Sequence, residues 1–418
     1  MKINTRTGIN SDRTHLLGER HPWASDREDR PGTLATMSTE LVIDADTHVT
    51  EPADLWTSRA PAKYADDVPK MVRTEDGRDV WRFGDRTIAV VGMTATAGWP
   101  RPFPDGPATI EECPPGARDA AARVAHMDEL GIWAQVLYPN VAGFGSQHFL
   151  GSDDDELKLV CVRAYNDFLR DFASVDERRF VTIMATPFWD VDAAVTEIER
   201  CATAGHGGVL FTGEPQRFGF PFLGEAHWDP VWSAAQSAGL AIHFHIGGGD
   251  PSTSFTPHRI RAHGAAATYA YTATELFLKN GLQVADLLTS GVLPRFPDLK
   301  FVSVESGIGW VPFVLEAADY AYLEGRPDRT SEWELLPSEY FARQVYACYW
   351  FETVAPKRLL DEIPVDRILF ETDYPHPTCL FGNVREQIDT GLADATPEQR
   401  HKILWANAAE LYDIDTPA

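Results

Sequence analysis

The sequence has no apolar run of the roughly 18–20 residues that cross a bilayer; stretches such as VLYPNVAGF and LAIHFHIGGG stop within about ten. A membrane-spanning chain is therefore not expected. Cysteine is scarce: the five residues Cys113, Cys161, Cys201, Cys348 and Cys379 are an odd number without C-x-x-C spacing. That pattern argues against both a disulfide framework and a zinc knuckle, and it fits a reducing cytoplasm. Positive charge is also short, with 37 Lys and Arg against 62 Asp and Glu, a formal charge of −25. Such a surface repels phosphate backbones and anionic lipid, so neither nucleic acid nor membrane is expected as a partner. No G-x-G-x-x-G follows a strand-like run, which removes the dinucleotide-binding signature. Internal repeats and low-complexity tracts are absent too.

Hydrophobic residues make up 44% of the 418 positions, enough for a large core. Residues 1–36 are polar, aperiodic and without the apolar segment of a signal peptide, and are read as a disordered N-terminal extension. Met37 is a candidate start, and 37–418 is read as one domain. Within it, eight β-branched runs alternate with amphipathic stretches: 41–49, 132–140, 180–188, 207–213, 240–247, 300–307, 345–352 and 367–374. Eight strand–helix units over this length predict a (β/α)8 TIM barrel with insertions at its C-terminal face. The insertions are residues 50–131, whose WRFGDRTIAVVGM reads as a hairpin, and the segment GGGDPSTSFTPHRIRAHG after the fifth strand. In the stretch RAYNDFLRDF, Tyr165, Phe168 and Leu169 are expected in the core, with Asn166 and Arg163 capping or facing solvent.

Barrel interiors are normally Val, Ile or Leu, so polar residues near strand ends call for a reason. Asp44, Asp46 and His48 alternate along the first strand and are expected to share a face, as are His243 and His245 on the fifth. Glu305 ends the sixth strand and Asp373 the eighth. All converge on one mouth. Mixed imidazole and carboxylate donors suit one divalent transition metal, Zn²⁺ or Mn²⁺ first, and the predicted ligands are Asp46, His48, His245 and Asp373. His243 sits one layer deeper, away from the ion.

These residues resemble the metal-dependent amidohydrolase superfamily, in the amidohydrolase-2 branch that includes aminocarboxymuconate semialdehyde, gamma-resorcylate and 5-carboxyvanillate decarboxylases. The resemblance runs over about residues 40–412 and is carried by VIDADTHVTEP, GIWAQVLYPN, HFHIGG, FPDLKFVSVESGIGWVPFVLE and ILFETDYPHP. It implies the barrel, the single-metal site, an oligomer of identical chains, and non-oxidative decarboxylation of an aromatic or unsaturated acid. Asp373 would be the proton donor, with Glu305 and His376 tuning and orienting it. Many relatives carry histidine where this chain has Glu305, which leaves that residue open as a base, a water-holding group or a partner for an arginine such as Arg343. Hydrolysis of an amide, lactone or other carbonyl compound through an activated water is the alternative, and a barrel without catalysis, acting as a binding protein, is a third. Arg259 and His263 on the mouth loops are the candidate contacts for a small anionic or carbonyl substrate.

Overall fold

All eight predicted runs form strands. The computed structural model describes residues 40–249, 255–325, 334–415 and 417; the expected extension, 1–36, lies outside the described residues. Strand β1 (Ile43–His48) is followed by an antiparallel sheet of β2 (Lys70–Arg73), β3 (Asp79–Phe83) and β4 (Arg86–Val90). The chain continues through β5 (Ala134–Tyr138), β6 (Phe180–Met184), β7 (Gly208–Leu210), β8 (Ala241–His245), β9 (Phe301–Val304), β10 (Val345–Tyr349) and β11 (Ile368–Phe370). Parallel pairing runs in the order β1, β5, β6, β7, β8, β9, β10, β11. A parallel bridge between Thr47 and Tyr374 returns the last strand to the first. At that seam the His48 N–H donates to the Tyr374 carbonyl at 2.7 Å and the Asp373 N–H to the Asp46 carbonyl at 3.0 Å. The result is a (β/α)8 barrel in which helices cover the sheet. The hairpin expected in the first insertion is β3–β4, and β2 extends it to three strands.

Several helices begin at an aspartate that accepts from the helix's own N-terminal amides. Asp119, Asp154 and Asp190 cap Ala120–Leu130, Asp155–Ala173 and Val191–Thr203 respectively. Period-two alternation then sorts the strand side chains. Ile43, Val136, Ile183, Leu210, Val302, Tyr346 and Leu369 join one buried cluster fed by all eight barrel strands, while Leu137, Met184, Phe244, Phe301 and Phe370 pack under the helices.

Two expectations are corrected. Along β1 the pairing with β5 takes in an extra residue, since Asp44 faces Gln135 but Thr47 faces Leu137. Such a bulge reverses which side alternate residues occupy. Asp44 therefore does not share a face with Asp46 and His48. It accepts from the Thr372 amide (2.8 Å), the Thr372 hydroxyl (2.6 Å) and Gln135 Nε2 (3.1 Å), which locks the first strand to the last. Asn166, expected at the surface or a cap, is fully buried and ties its helix to the end of β6 through both the carbonyl and the amide of Ala185. A buried amide with every bond made costs little, and helical spacing alone does not reveal such a partner.

Candidate metal centre and active site

Every donor reaches the centre from the C-terminal end of a barrel strand. Asp46 and His48 come from β1 beyond its bulge, and His245 closes β8. Glu305 follows β9 and Asp373 follows β11, both in the left-handed backbone region at φ 58° and 60°. His48 Nε2 and His245 Nε2 stand 3.2 Å apart. Asp46 Oδ1 lies 3.4 Å from the first and 3.5 Å from the second, Glu305 Oε2 is 3.5 Å from His245 Nε2, and Asp373 Oδ1 is 3.6 Å from His48 Nε2. All are buried. Asp46, His48, His245 and Glu305 form one compact donor set, and His48, Glu305, Asp373 and His376 form a second that overlaps it. Of the predicted ligands, Asp373 thus meets the group from the His48 side, while Glu305 sits directly beside His245. Neither Asp46 side-chain oxygen accepts a hydrogen bond.

The residues fit a divalent ion. Donors each ~2.1 Å from a common metal stand roughly 3–3.5 Å apart, which is the spacing here. The electrostatics agree. Burial, with Asp46 next, pushes the Asp373 carboxyl up to about 8, and burial with the Asp373 carboxylate raises Glu305 well above the usual range. Burial also opposes ionisation of Asp46, yet the His245 and His48 imidazoles hold it well below an ordinary carboxylate. His48 is lowered to about 4 by burial and by His376, and His376 itself to about 3 by burial. Neutral imidazoles facing crowded carboxylates are ready ligands, and a cation between them reverses the rise of the acids.

Residues outside the predicted set complete the surroundings. Thr378 donates to Asp373 Oδ2 at 2.9 Å and His376 Nδ1 lies 2.7 Å from Asp373 Oδ1. Glu371 Oε2 accepts the Glu305 N–H at 3.0 Å. Its alternation with Asp373 in FETD was a readable signal for this placement. The Phe144 ring stacks on His245 at 4.1 Å and meets His48 edge-on at 5.3 Å, roofing the cluster. Tyr269, stacked on Phe103 at 4.1 Å, faces Thr378. His243 bonds the Tyr138 hydroxyl through Nδ1 at 2.7 Å, one layer below the cluster as expected. Arg343 does not meet Glu305; it bonds Gln344 and the Leu293 carbonyl. Neither Arg259 nor His263 enters the donor sets: the Arg259 guanidinium lies 3.8 Å over Tyr271, and His263 is exposed. Residues 250–254 of the same mouth segment lie outside the described residues.

The amidohydrolase family model Amidohydro_2 matches residues 21–414. The chain belongs to the amidohydrolase family. This amidohydrolase is 27% identical over 305 residues to gamma-resorcylate decarboxylase of Polaromonas sp. (strain JS666), covering 70% of the chain and 87% of that relative. Its fold is shared by amidohydrolase map2389c of Mycobacterium avium subsp. paratuberculosis K-10, with a TM-score of 0.69 and 23% identity over 90% of this chain and 99% of that one. A dihydroxybenzoic acid decarboxylase from Polaromonas sp. JS666, solved with manganese and the inhibitor 2-nitroresorcinol, aligns with a TM-score of 0.57 and 21% identity over 90% and 98% of the two chains. No described helix of the amidohydrolase is long and apolar enough to cross a membrane.

Proposed function

We propose that this amidohydrolase is a metal-dependent decarboxylase of an aromatic or unsaturated carboxylic acid. The observation that carries the reading is the convergence of two imidazole nitrogens and three carboxylates on one buried point. The decarboxylase relatives supply the reaction class. Asp46, His48 and His245 would hold one divalent transition ion, with Glu305 and Asp373 the two carboxylates that complete the set; mixed nitrogen and oxygen donors suit manganese or zinc. When bound, such an ion supplies the positive charge that holds a substrate carboxylate and draws electrons from the bond to be broken.

The remaining work falls to the chain. Asp373 is the proton donor to the carbon that loses CO₂, with the Thr378 hydroxyl 2.9 Å from its Oδ2 and His376 Nδ1 2.7 Å from its Oδ1. His376 orients it, and Glu305 brings a second carboxyl to the same point, 3.5 Å from His245 Nε2. Phe144 and Tyr269 are apolar walls for a flat substrate and exclude water. Arg259 and His263 draw the anion to the mouth rather than bind it directly. Hydrolysis of a carbonyl compound would use the same donors; the relatives' names weigh for decarboxylation. Five free thiols support a reducing compartment such as the cytoplasm. A homo-oligomer belongs to the reading too, supported by exposed large apolar side chains such as Leu282 and Phe313.

The test is metal content by elemental mass spectrometry, and CO₂ release from hydroxybenzoates, for the wild type and for Asp46→Ala, His245→Ala and Asp373→Asn. About one ion per chain is expected, lost in the first two variants, and Asp373→Asn should lower turnover by ~10²-fold or more. Hydrolytic turnover without CO₂ would replace the reading with the alternative. An ion without any turnover would leave the binding protein.

A further inference from the structure

Gln135 alternates with Val136 along β5 and so shares with Leu137 a buried position where a parallel barrel strand normally carries an apolar side chain. It lies between two buried groups of opposite charge. Its carbonyl accepts from Arg123 Nη1 at 3.2 Å, and its amide nitrogen donates to Asp44 Oδ2 at 3.1 Å. Arg123 belongs to the helix Ala120–Leu130 of the first insertion and is fully buried, as is Asp44 on β1. The guanidinium also donates to the carbonyls of Gly116 and His48, and it lies 4.6 Å from the centre of the Tyr374 ring. None of its acceptors is charged. Asp44 takes the amide and the hydroxyl of Thr372 at 2.8 and 2.6 Å. A cation and a carboxylate are thus joined through one amide, its oxygen toward the positive end and its nitrogen toward the negative end.

We infer that Arg123, Gln135 and Asp44 are one linkage of positioning residues that fixes the separation of His48 and Asp373. Stability does not account for it. Buried charges are costly to desolvate, and apolar side chains of similar volume often fill such a space at equal or better stability. What the linkage does is hold the chain on both sides of the seam where the barrel closes. Arg123 holds the His48 carbonyl while the His48 amide donates to the Tyr374 carbonyl, so both backbone groups of that donor are committed. At the other end Asp44 holds Thr372, the residue before Asp373. The two side chains so placed meet across the seam, with His48 Nε2 3.6 Å from Asp373 Oδ1. The planar fork of Arg123 suits the task, because its three acceptors belong to the first insertion, β5 and β1, and a single ammonium cannot reproduce that fixed geometry. The inference rests on the metal-centre reading for its chemical consequence, whereas the placement of the two donors can be measured without it.

Crystal structures of the metal-free protein test the placement, and cobalt(II) titration followed by visible absorption tests its consequence. Gln135→Met keeps the length and cuts the link. It should widen the 3.6 Å separation of His48 and Asp373 by ~0.5 Å or more, weaken cobalt binding ~10–100-fold and shift the cobalt bands. Arg123→Lys keeps the charge but not the fork, and should act in the same direction; it carries the test if the first variant does not fold. Asn166→Leu is the control, since it removes buried bonds at β6, a strand that supplies no donor. It should lower the thermal midpoint and leave separation, affinity and bands as in the wild type. An unchanged separation in Gln135→Met and Arg123→Lys would overturn the proposal, even with affinity lost, because the loss would then be electrostatic. Equal changes in Asn166→Leu would overturn it as well, by showing a general loosening. A wild type that binds no cobalt removes the metal centre, and the separation alone then decides the placement; tight cobalt binding at an unchanged separation in every variant does the reverse.

Discussion

Asp373 and Glu305 carry left-handed backbones that cost a residue with a Cβ roughly 1–2 kcal/mol each. Both are overdetermined by neighbours: the Glu305 amide is taken by Glu371 and the Asp373 amide by the Asp46 carbonyl. Strain held in this way aims two carboxylates at a point they would not reach from a regular strand. The finer aim of Asp373 rests on Thr378. Replacing Thr378 with Val keeps the volume and deletes one bond to a charged acceptor, which corresponds to about tenfold in turnover. The expected outcome is a kcat lowered by about that factor in a steady-state CO₂ assay, with metal content and thermal midpoint near wild type. A variant that loses its metal instead would show that Thr378 serves binding rather than proton delivery.

At the scale of elements, the turn that leads from β9 into the helix Val311–Gly325 is pinned by a carboxylate from the next strand. Glu352 accepts the amides of Ile308 and Gly309, and burial pushes it from 4.5 up to about 7. Glu51, which accepts the Tyr165 hydroxyl and the Val141 amide, is raised to about 7 by burial in the same way. A folded pKa above the unfolded one means the native state holds the extra proton. The associated stability is fully present below about pH 4.5 and is lost as pH rises through about 7, on the order of 3 kcal/mol per group. The metal-free protein should therefore show a thermal midpoint that falls between pH 5 and 8, and Glu352→Gln should flatten part of that slope. A midpoint that rises over the same window in both proteins would show that other groups dominate.

Element positions were the most readable part of the chain. The barrel strands are β-branched runs bounded by Gly, Pro or Asp, and their order follows from right-handed parallel crossovers. Asp46, His48, His245, Glu305 and Asp373 were legible because charged and imidazole groups are out of place inside a barrel. The bulge in β1 was not, because every residue from Ile43 to His48 is buried and hydrophobic alternation carries no mark of the extra position. The partners of Glu305, Asn166 and Arg343 were hidden for a related reason. A hydrogen bond between groups tens of residues apart leaves no local pattern, so residue type announces a buried polar group but not what satisfies it.

For the molecule as a whole, a formal charge of −25 is a standing repulsion that folding has to overcome. Surface ion pairs such as Lys63–Glu156 and Arg200–Asp167 are solvent-exposed and return little each. Screening should therefore relieve more repulsion than it removes attraction. Thermal midpoints should rise by a few degrees as sodium chloride goes from low-millimolar to physiological concentration, measured by scanning calorimetry at fixed pH. A fall over that range would mean that attractive pairs outweigh the net charge.

The seam between β1 and β11 has a consequence for how the molecule is made. The Asp373 amide donates to the Asp46 carbonyl and the His48 amide to the Tyr374 carbonyl across more than three hundred residues, and the same seam closes the barrel and sets three of the donors. A chain still emerging from the ribosome holds Asp46, His48, His245 and Glu305 long before Asp373 arrives, yet has no closed wall to keep them converged. The full donor set thus converges only once the last strand has joined the first, so closure of the barrel and completion of the site are one event.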